Sequence, residues 1–469
     1  MPAKPTESFK RTLDDPRLQL AIYSATERLM SHRASAIAPA VLPDYQELRN
    51  HANSLKKHTI ENLDYYLEQL EANVLAHGGK VVFCRDGREV TDFVLNLAKE
   101  RGAKRIVKSK SMVTEEIHFN EGLERGEMEI VETDLGEYIL QLAHQHPYHI
   151  VAPALHMTRY DVAEIFSKNL GVPNEVVIEN QTKIARRVLR EKFLRADIGV
   201  TGANFLIADS GAVVLVENEG NARLSMSAPR IHIAVAGIEK VIPRAQDLGV
   251  FLNLLGRSAT GQPLTVYTSF VSGPRRTDEI DGPDEFYLVL LDNGRTKLLA
   301  DPEKRQSLYC IRCGACLNHC PVYRKIGGHN YPWIYSGPIG AIITPQFHGV
   351  TADPWLPFAS SLCGACAEVC PVKIEIPKLL LKLRSEVSEA NRREGRGGAE
   401  RFVFRFWAWV MTHPKLYLWL ASMGSKFQPM LPNVGPLKNW ASEREIPRLA
   451  SRSFHQWWAE RKCSTPQAK

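Results

Sequence analysis

The sequence lacks a hydrophobic segment long enough to cross a membrane, and it lacks an apolar leader at its N-terminus. The richest apolar stretch, residues 402–420, is interrupted by Arg405, Pro414 and Lys415, whereas a spanning helix needs about 18 apolar residues in succession. Without a signal peptide, we expect a cytoplasmic protein that is not transmembrane. Thiols stay reduced in that compartment, so disulfides are not expected.

Nucleotide-binding motifs are also missing. No G-x-G-x-x-G follows the first predicted strand and no Walker A lysine motif occurs, so a dinucleotide or nucleotide site has no direct support. The net charge of +7 comes without a clustered stripe of Lys and Arg, and the sequence therefore predicts no nucleic-acid partner. A composition of 44% hydrophobic and 24% charged residues is ordinary for a globular protein.

Cysteine is the informative residue type, because seven of the nine cysteines lie in two short runs. The first run, Cys310 to Pro321, is the bacterial ferredoxin pattern C-x2-C-x2-C-x3-C-P. The second run, Cys363 to Pro371, has the same spacing but lacks the first cysteine. Three cysteines, each separated from the next by two residues, let one tight loop bind three irons of an iron–sulfur cluster. Zinc knuckles lack the third cysteine and the proline that follows the fourth. The spacing therefore predicts iron–sulfur clusters.

Crossing the ligands between the runs, as in two-cluster ferredoxins, predicts two 4Fe–4S clusters. The predicted ligands are Cys310, Cys313, Cys316 and Cys370 for the first cluster, and Cys320, Cys363 and Cys366 for the second. Ser360 stands where a fourth cysteine would complete the second motif. The alternatives for this position are an oxygen ligand from Ser360 or Ser361, a water, a distant Cys84 or Cys463, or a three-cysteine 3Fe–4S cluster.

The apolar spacing divides the chain into four regions. Residues 1–69 are expected to form an α-helical lead-in, and residues 70–300 an α/β domain in which short strands alternate with helices. This alternation is typical of a mostly parallel sheet with helices on its faces. Residues 301–391 are expected to form an α-helical, ferredoxin-like domain that carries both cysteine runs. Residues 392–469 are a basic linker and an aromatic-rich helical tail.

Within the α/β region, short apolar runs bounded by turn residues predict the strands. They lie at residues 80–84, 105–108, 128–131, 148–153, 197–200, 230–236, 264–267 and 285–291. Between residues 202 and 217 the pattern indicates a helical turn followed by one more strand.

One loop of the α/β region is a candidate binding site. The segment Lys108 to Met112 follows a predicted strand, and Ser109, Lys110 and Ser111 could bind a carboxylate or a phosphate. A solvated loop is the commoner alternative. The other candidates for acid–base chemistry, for which ordinary polar loops are again the alternative, are Glu115, Glu116, His118, Glu217 and Glu219.

The tail concentrates aromatic side chains, among them Phe402, Trp407 and Trp419. Aromatic residues next to arginine and lysine suit a surface that docks a partner or contacts a membrane peripherally. Packing against the cluster domain is the alternative, since exposed aromatic patches are uncommon.

With these regions in this order, the chain resembles the lactate utilization protein B family, the iron–sulfur subunit of a bacterial L-lactate oxidation system. The resemblance covers nearly the whole chain and is carried by both cysteine runs and by blocks 108–112, 134–137, 152–156, 201–223, 335–340 and 453–458. It implies an α/β fold similar to sugar-phosphate isomerases and CoA transferases. It also implies two 4Fe–4S clusters and two companion subunits, and it leaves the electron acceptor unidentified.

The leading hypothesis is an electron-transfer subunit in the oxidation of L-lactate to pyruvate, which lets lactate serve as a carbon source. An alternative is that the α/β domain itself binds and oxidises lactate or another small hydroxy acid near residues 108–112. The lack of a hydride-accepting cofactor motif argues against this alternative. A third hypothesis is an assembly scaffold whose clusters are structural.

Overall fold

The computed structural model describes residues 5–395, 398–427 and 450–463. Two compact units divide the chain, the first ending at Val387 and the second beginning at Ser388. The side chain of Cys463 lies outside the described residues.

Helices provide most of the regular structure. The lead-in and α/β region contain α1 Pro5–Asp14, α2 Pro16–Ala36, α3 Tyr45–Glu61, α4 Leu63–Ala76, α5 Gly87–Arg101, α6 Met112–Glu116, α7 Phe119–Arg125, α8 Leu135–Ala143, α9 Arg159–Leu170, α10 Ile178–Leu194, α11 Asn221–Ser227, α12 Leu248–Ala259 and α13 Arg295–Ala300. The rest of the described chain contains α14 Ala315–Asn318, α15 Tyr323–Ile326, α16 Gly337–His348, α17 Ala365–Glu368, α18 Ile376–Arg393, α19 Gly398–Met411, α20 Pro414–Phe427 and α21 Phe454–Cys463. Short 3₁₀ turns lie at Ile238–Lys240, Ala245–Asp247, Lys304–Tyr309, Gly328–Asn330 and Leu356–Phe358.

Six strands form a sheet in which every pairing is parallel, in the order β1-β10-β7-β4-β2-β3. They are β1 Lys80–Cys84, β2 Arg105–Lys108, β3 Glu129–Glu132, β4 Ile198–Thr201, β7 Ile231–Gly237 and β10 Glu285–Leu291. The central strands β4 and β7 are buried along their whole length, which explains their continuous apolar sequences. The predicted parallel sheet with intervening helices is confirmed.

A second, four-stranded sheet was not predicted. Its order is β8-β5-β6-β9, with antiparallel pairs on both sides of β6. The strands are β5 Phe205–Ile207, β6 Ala212–Glu217, β8 Val241–Ile242 and β9 Tyr267–Val271. The expected helical turn after residue 202 is wrong, because Phe205–Ile207 is a strand that pairs with β6 across the turn from Asp209 to Gly211. A short apolar run alone does not distinguish a turn of helix from an edge of sheet.

Two further strand predictions need correction. Residues 148–153 form bends and turns rather than a strand. The side chains of Tyr148 and Ile150 are buried, and this burial accounts for the apolar character of the segment without pairing in a sheet. Strand β9 begins at Tyr267, so the strand predicted at residues 264–267 overlaps it by one residue only.

One hydrophobic core joins the lead-in, the second sheet and the cysteine-bearing segment. Ala52 and Ile60 of α3, Phe205 of β5 and Ile342 of α16 all belong to it, together with most of the clustered cysteines. Arginines of the lead-in also bind the second cysteine run directly. Arg49 donates to the backbone oxygens of Cys370 (2.8 Å) and Glu368 (2.7 Å).

The aromatic helices α19 and α20 lie in the second unit, where Phe402, Trp407 and Trp419 are each more than half exposed. Within the described ranges, no helix combines the length and the apolar character that crossing a membrane requires.

Candidate functional site

The seven clustered cysteines fall into two groups in space. The charges of Cys310, Cys313 and Cys370 all add to the burial that raises the pKa of Cys316, and Cys310 also raises the pKa of Cys313 and Cys370, so these four thiols lie close together. The thiols of Cys320, Cys363 and Cys366 form a second such set. The two groups are neighbours, because the charge of Cys366 in the second group contributes to raising the pKa of Cys316 in the first. Each group therefore combines cysteines from both runs.

Burial is the main cause of the pKa shifts among these thiols. It raises the pKa of Cys370 to about 11 and that of Cys366 to about 12, and neighbouring thiols add to both shifts. Cys363 differs, because it is exposed and its pKa is lowered by hydrogen bonds from the backbone of Ala365 and from Ser361. Buried thiols that repel one another as thiolates are costly unless a cationic centre compensates their charge.

Backbone amides point at the sulfurs in both runs. The N–H groups of Arg312, Tyr323 and Ile374 donate to Cys310, Cys320 and Cys370 at 3.4, 3.5 and 3.4 Å. Such N–H···S bonds favour thiolates, and they tune iron–sulfur clusters.

The donors in the two groups are of the kind that iron–sulfur clusters use. Among the described residues, no three His, Cys, Asp or Glu side chains are close enough to hold one metal ion. A zinc site needs four ligands within about 2.3 Å of one centre. In a cubane each thiolate binds a different iron, so its thiolates stand farther apart. Two groups of thiols, most of them buried or half-buried and several of them bonded by backbone amides, match this requirement.

The cysteine outside the runs whose side chain is described does not join either group. Cys84 ends β1 and packs in the core of the parallel sheet with Val289 and Leu291, as its apolar sequence predicts. Burial raises its pKa to about 11. Cys84 is therefore excluded as the fourth ligand of the second cluster, and the hypothesis that it fills this position is wrong.

A buried ionic network fixes the first cysteine loop to the α/β region. Arg295 of α13 donates to Glu239 at 2.5 Å and binds Glu116 through two bonds of 2.8 and 2.9 Å. The guanidinium of Arg312, two residues after Cys310, lies 3.6 Å from Glu239 and over the ring of Tyr335. Tyr335 in turn donates to Glu116 at 2.8 Å.

The charges of this network are compensated. Burial alone would raise the pKa of Glu239, but Arg295 and Arg312 lower it to about 2. Glu116 was expected in a polar loop or in acid–base chemistry, but it is buried and serves as an ion-pair partner. Its sequence neighbour Glu115 pairs with Lys108 at 3.0 Å.

A cavity of about 360 Å³ adjoins the same cysteine loop. It opens at the carboxyl ends of β2, β4 and β7, the usual ligand position of parallel sheets. Its charged lining residues are Lys110, Asp134, Glu217, Glu219, Glu239, Lys240, Arg295 and Arg312. The cavity therefore connects the sheet to Arg312, one of the two residues between Cys310 and Cys313.

The candidate loop at residues 108–112 lines this cavity from Ser109 onwards. Ser109 and Ser111 are buried, so the alternative of a solvated loop is wrong. Lys108 is not part of the lining, because it is fully buried and pairs with Glu132 at 2.7 Å. Lys110 donates to the backbone oxygen of Val151 at 2.9 Å and lies 3.8 Å from Glu137.

The acidic candidates have different surroundings. Glu217 accepts hydrogen bonds from the first amides of α11, including Ala222 at 2.8 Å. Burial and the nearby Asp134 raise the pKa of Glu219 to about 7. His118 is exposed and lies 3.6 Å from Glu121, away from the residues that line the cavity.

Several functional residues gave no signal in the sequence. Arg49, Arg295, Glu239 and Lys240 stand alone, far from any motif, and only the fold brings them to the cysteine loops. An isolated arginine is ordinarily a surface residue. For Glu239 and Lys240 a signal could have been found, because they form a charged pair shortly after β7, a strand buried along its whole length.

Three family models match the chain. The LUD domain matches residues 67–291, the 4Fe-4S dicluster domain residues 306–374, and the C-terminal region of lactate utilisation protein B residues 382–463. The LUD match spans the strands from β1 to β10, and the dicluster match contains all seven clustered cysteines, from Cys310 to Cys370.

Curated relatives match over nearly the whole chain. Lactate utilization protein B of Bacillus thuringiensis (strain Al Hakam) is 46% identical over 462 residues, covering 96% of this chain and 95% of the relative. The protein of the same name from Bacillus anthracis (strain CDC 684 / NRRL 3495) has the same identity and coverage. A crystal structure of a DUF162 family protein from Deinococcus radiodurans covers 49% of the chain at 10% identity, with a TM-score of 0.27.

We predict that Arg295→Met destabilises the protein by about 3–5 kcal/mol, because it removes the nearest cation from the buried carboxylates of Glu116 and Glu239. Thermal unfolding of the iron-loaded chain should show a clearly lower Tm together with loss of iron. The control is Arg230→Met, which removes an arginine whose side chain is 87% exposed and should leave Tm and iron content close to wild type. Equal Tm values for both variants would contradict the structural role of the network.

Proposed function

Since the chain belongs to the lactate utilization protein B family, we propose that it carries electrons during the oxidation of L-lactate to pyruvate, allowing lactate to serve as a carbon source. The 4Fe-4S dicluster match makes it an iron–sulfur protein of lactate utilization. The proposal adds the reaction and the role of the clusters in it.

The two thiol groups carry this proposal. The first cluster would be held by Cys310, Cys313, Cys316 and Cys370, and the second by Cys320, Cys363 and Cys366. The mutual charge interactions within each group support this crossed assignment of two 4Fe–4S clusters. Removal of two electrons and two protons converts lactate to pyruvate, and each bound cluster supplies an acceptor for one electron.

The position of each group supports a relay. Arg312 of the first cysteine loop lines the cavity in the α/β region. In the second group, Cys363 is exposed, so this group lies near solvent where a partner can approach. The proximity of Cys316 to Cys366 connects the groups. The chain can thus pass electrons from the cavity side to the surface.

The aromatic helices support docking of companion subunits. Phe402, Trp407 and Trp419 are exposed, and aromatic side chains are enriched at the centres of protein interfaces.

We also propose a cytoplasmic location and an α/β fold related to sugar-phosphate isomerases and CoA transferases, in line with the parallel sheet order.

We predict that Cys313→Ala removes about four irons per chain and abolishes lactate-dependent reduction of the acceptor, while the companion subunits still co-purify. Cys84→Ala is the matched control, because Cys84 is also buried but lies in the other core. It should retain iron and activity. Loss of the companion subunits from the Cys313 variant would instead indicate a scaffold whose clusters are structural.

A second candidate function has support from the cavity. The α/β region could itself bind lactate or another small hydroxy acid, with Lys110 or Lys240 facing the carboxylate. Glu219, whose pKa burial and Asp134 raise to about 7, would then be placed to take a proton near neutral pH. In this case the chain contributes to catalysis as well as to electron transfer.

We predict for this second function that Lys110→Ala weakens lactate binding at least tenfold, because the side chain lines the cavity. Isothermal titration of the purified chain with L-lactate gives the affinity. Lys104→Ala removes an exposed lysine before β2 and should leave the affinity unchanged. If the wild-type chain binds no lactate, the second function fails while the electron-transfer proposal stands.

A further inference from the structure

The segment that begins at Ser360 repeats the backbone of the segment that begins at Cys310. The third residue of each, Arg312 and Leu362, has a positive φ, 61° and 54°. The fifth residue is a glycine in each, Gly314 at φ 72° and Gly364 at φ 86°. Two left-handed residues at matching positions, one of them not glycine, are uncommon in a chain. Their recurrence marks two copies of one ligand loop.

The elements after the loops also match. Each glycine is followed by a four-residue helix, Ala315–Asn318 in the first copy and Ala365–Glu368 in the second. Cys313 and Cys316 therefore correspond to Cys363 and Cys366. By the same count, Ser360 corresponds to Cys310.

The hydrogen bond at the first position is repeated as well. In the first copy the N–H of Arg312 donates to Sγ of Cys310 at 3.4 Å. In the second copy the N–H of Leu362 donates to Oγ of Ser360 at 3.1 Å. The shorter distance is what an oxygen in place of a larger sulfur requires. The Oγ of Ser360 thus occupies the place of the first-position sulfur.

Arg384 of α18 fixes the backbone at this position. It donates to the carbonyl oxygens of Pro357 at 2.9 Å and of Ser360 at 3.0 Å. The side chain of serine is shorter than that of cysteine. A serine ligand therefore needs a backbone that is held in place.

The neighbouring serine is a poorer candidate. Ser361 corresponds to Ile311, which is a core residue and not a ligand. Ser361 is exposed and its hydroxyl is already hydrogen-bonded to Cys363, lowering the pKa of that thiol. Cys84 lies in the other core. These contacts leave Ser360 as the side chain whose position repeats that of a ligand.

We propose that Ser360 is the fourth protein ligand of the second cluster, completing the set of Cys320, Cys363 and Cys366 through its Oγ. The inference rests on the proposed iron–sulfur function and deepens it. On binding iron, the hydroxyl loses its proton to solvent, as a cysteine thiol does. A 4Fe–4S cluster held in this way would have three irons bound by thiolates and one bound by the alkoxide of Ser360.

The test compares full-length Ser360→Ala, Ser360→Cys and Ser361→Ala, all purified anaerobically with wild type. Iron and sulfide are counted, and Mössbauer and EPR spectra are recorded for the oxidised proteins. Ser360→Ala should lose one iron per chain and gain the EPR signal of an oxidised 3Fe–4S cluster. Ser360→Cys should keep every iron but lose the distinct Mössbauer component of the oxygen-bound site. Ser361→Ala should match wild type.

Three results would overturn the proposal. One is a Ser360→Ala protein with the iron content and spectra of wild type. Another is a wild-type protein that already carries a 3Fe–4S cluster. The third is an unchanged Mössbauer spectrum in Ser360→Cys, a variant that keeps a ligand and so is expected to fold. A wild-type chain without iron would instead refute the iron–sulfur function itself, and the two failures are thereby distinguishable.

Discussion

The buried ion pairs around Glu239 are the constraint on which the rest of the site depends. A carboxylate removed from water is costly unless cations and hydrogen-bond donors compensate it. Arg295 satisfies Glu239 and Glu116 together, and Arg312 adds its charge from the cysteine loop. Through Arg312, the loop that carries Cys310 and Cys313 is held against the α/β region. Removing one partner from such a buried network is strongly destabilising, because it leaves a charge uncompensated.

That geometry places three features in succession. The cavity at the carboxyl ends of the parallel strands shares Arg312 with the first cysteine loop. The first thiol group lies next to the second through Cys316 and Cys366. The second group reaches the surface at Cys363. A molecule in the cavity and a partner at the surface would be linked through the interior of a single compact unit.

The lead-in helices have a related role. Arg49 of α3 binds the carbonyl oxygens that surround Cys370, the residue by which the second run joins the first group. Helix α3 also packs in the same core as the cysteines. The N-terminal helices thus support the cysteine-bearing segment directly.

Sequence patterns predicted the parts of this molecule that depend on local spacing. The parallel strands at residues 80–84, 105–108 and 285–291 were predicted at their observed bounds, because continuous apolar runs between helices have few other structures. The second sheet was missed, since β5 was expected to be a helical turn and the pairings of β5 with β8 and of β6 with β9 join segments distant along the chain. The ionic network was missed for the same reason. No spacing rule relates Arg295 to Glu116 or Glu239, whereas the cysteine runs carry their ligand geometry in their own spacing.

The central claim is that two iron–sulfur clusters make this chain an electron carrier. Anaerobic iron and sulfide analysis of the purified full chain, with EPR before and after dithionite, tests it most directly. The account predicts about eight irons per chain and, after reduction, the signals of two interacting 4Fe–4S clusters. Zinc in place of iron, or iron that dithionite does not reduce, would contradict it.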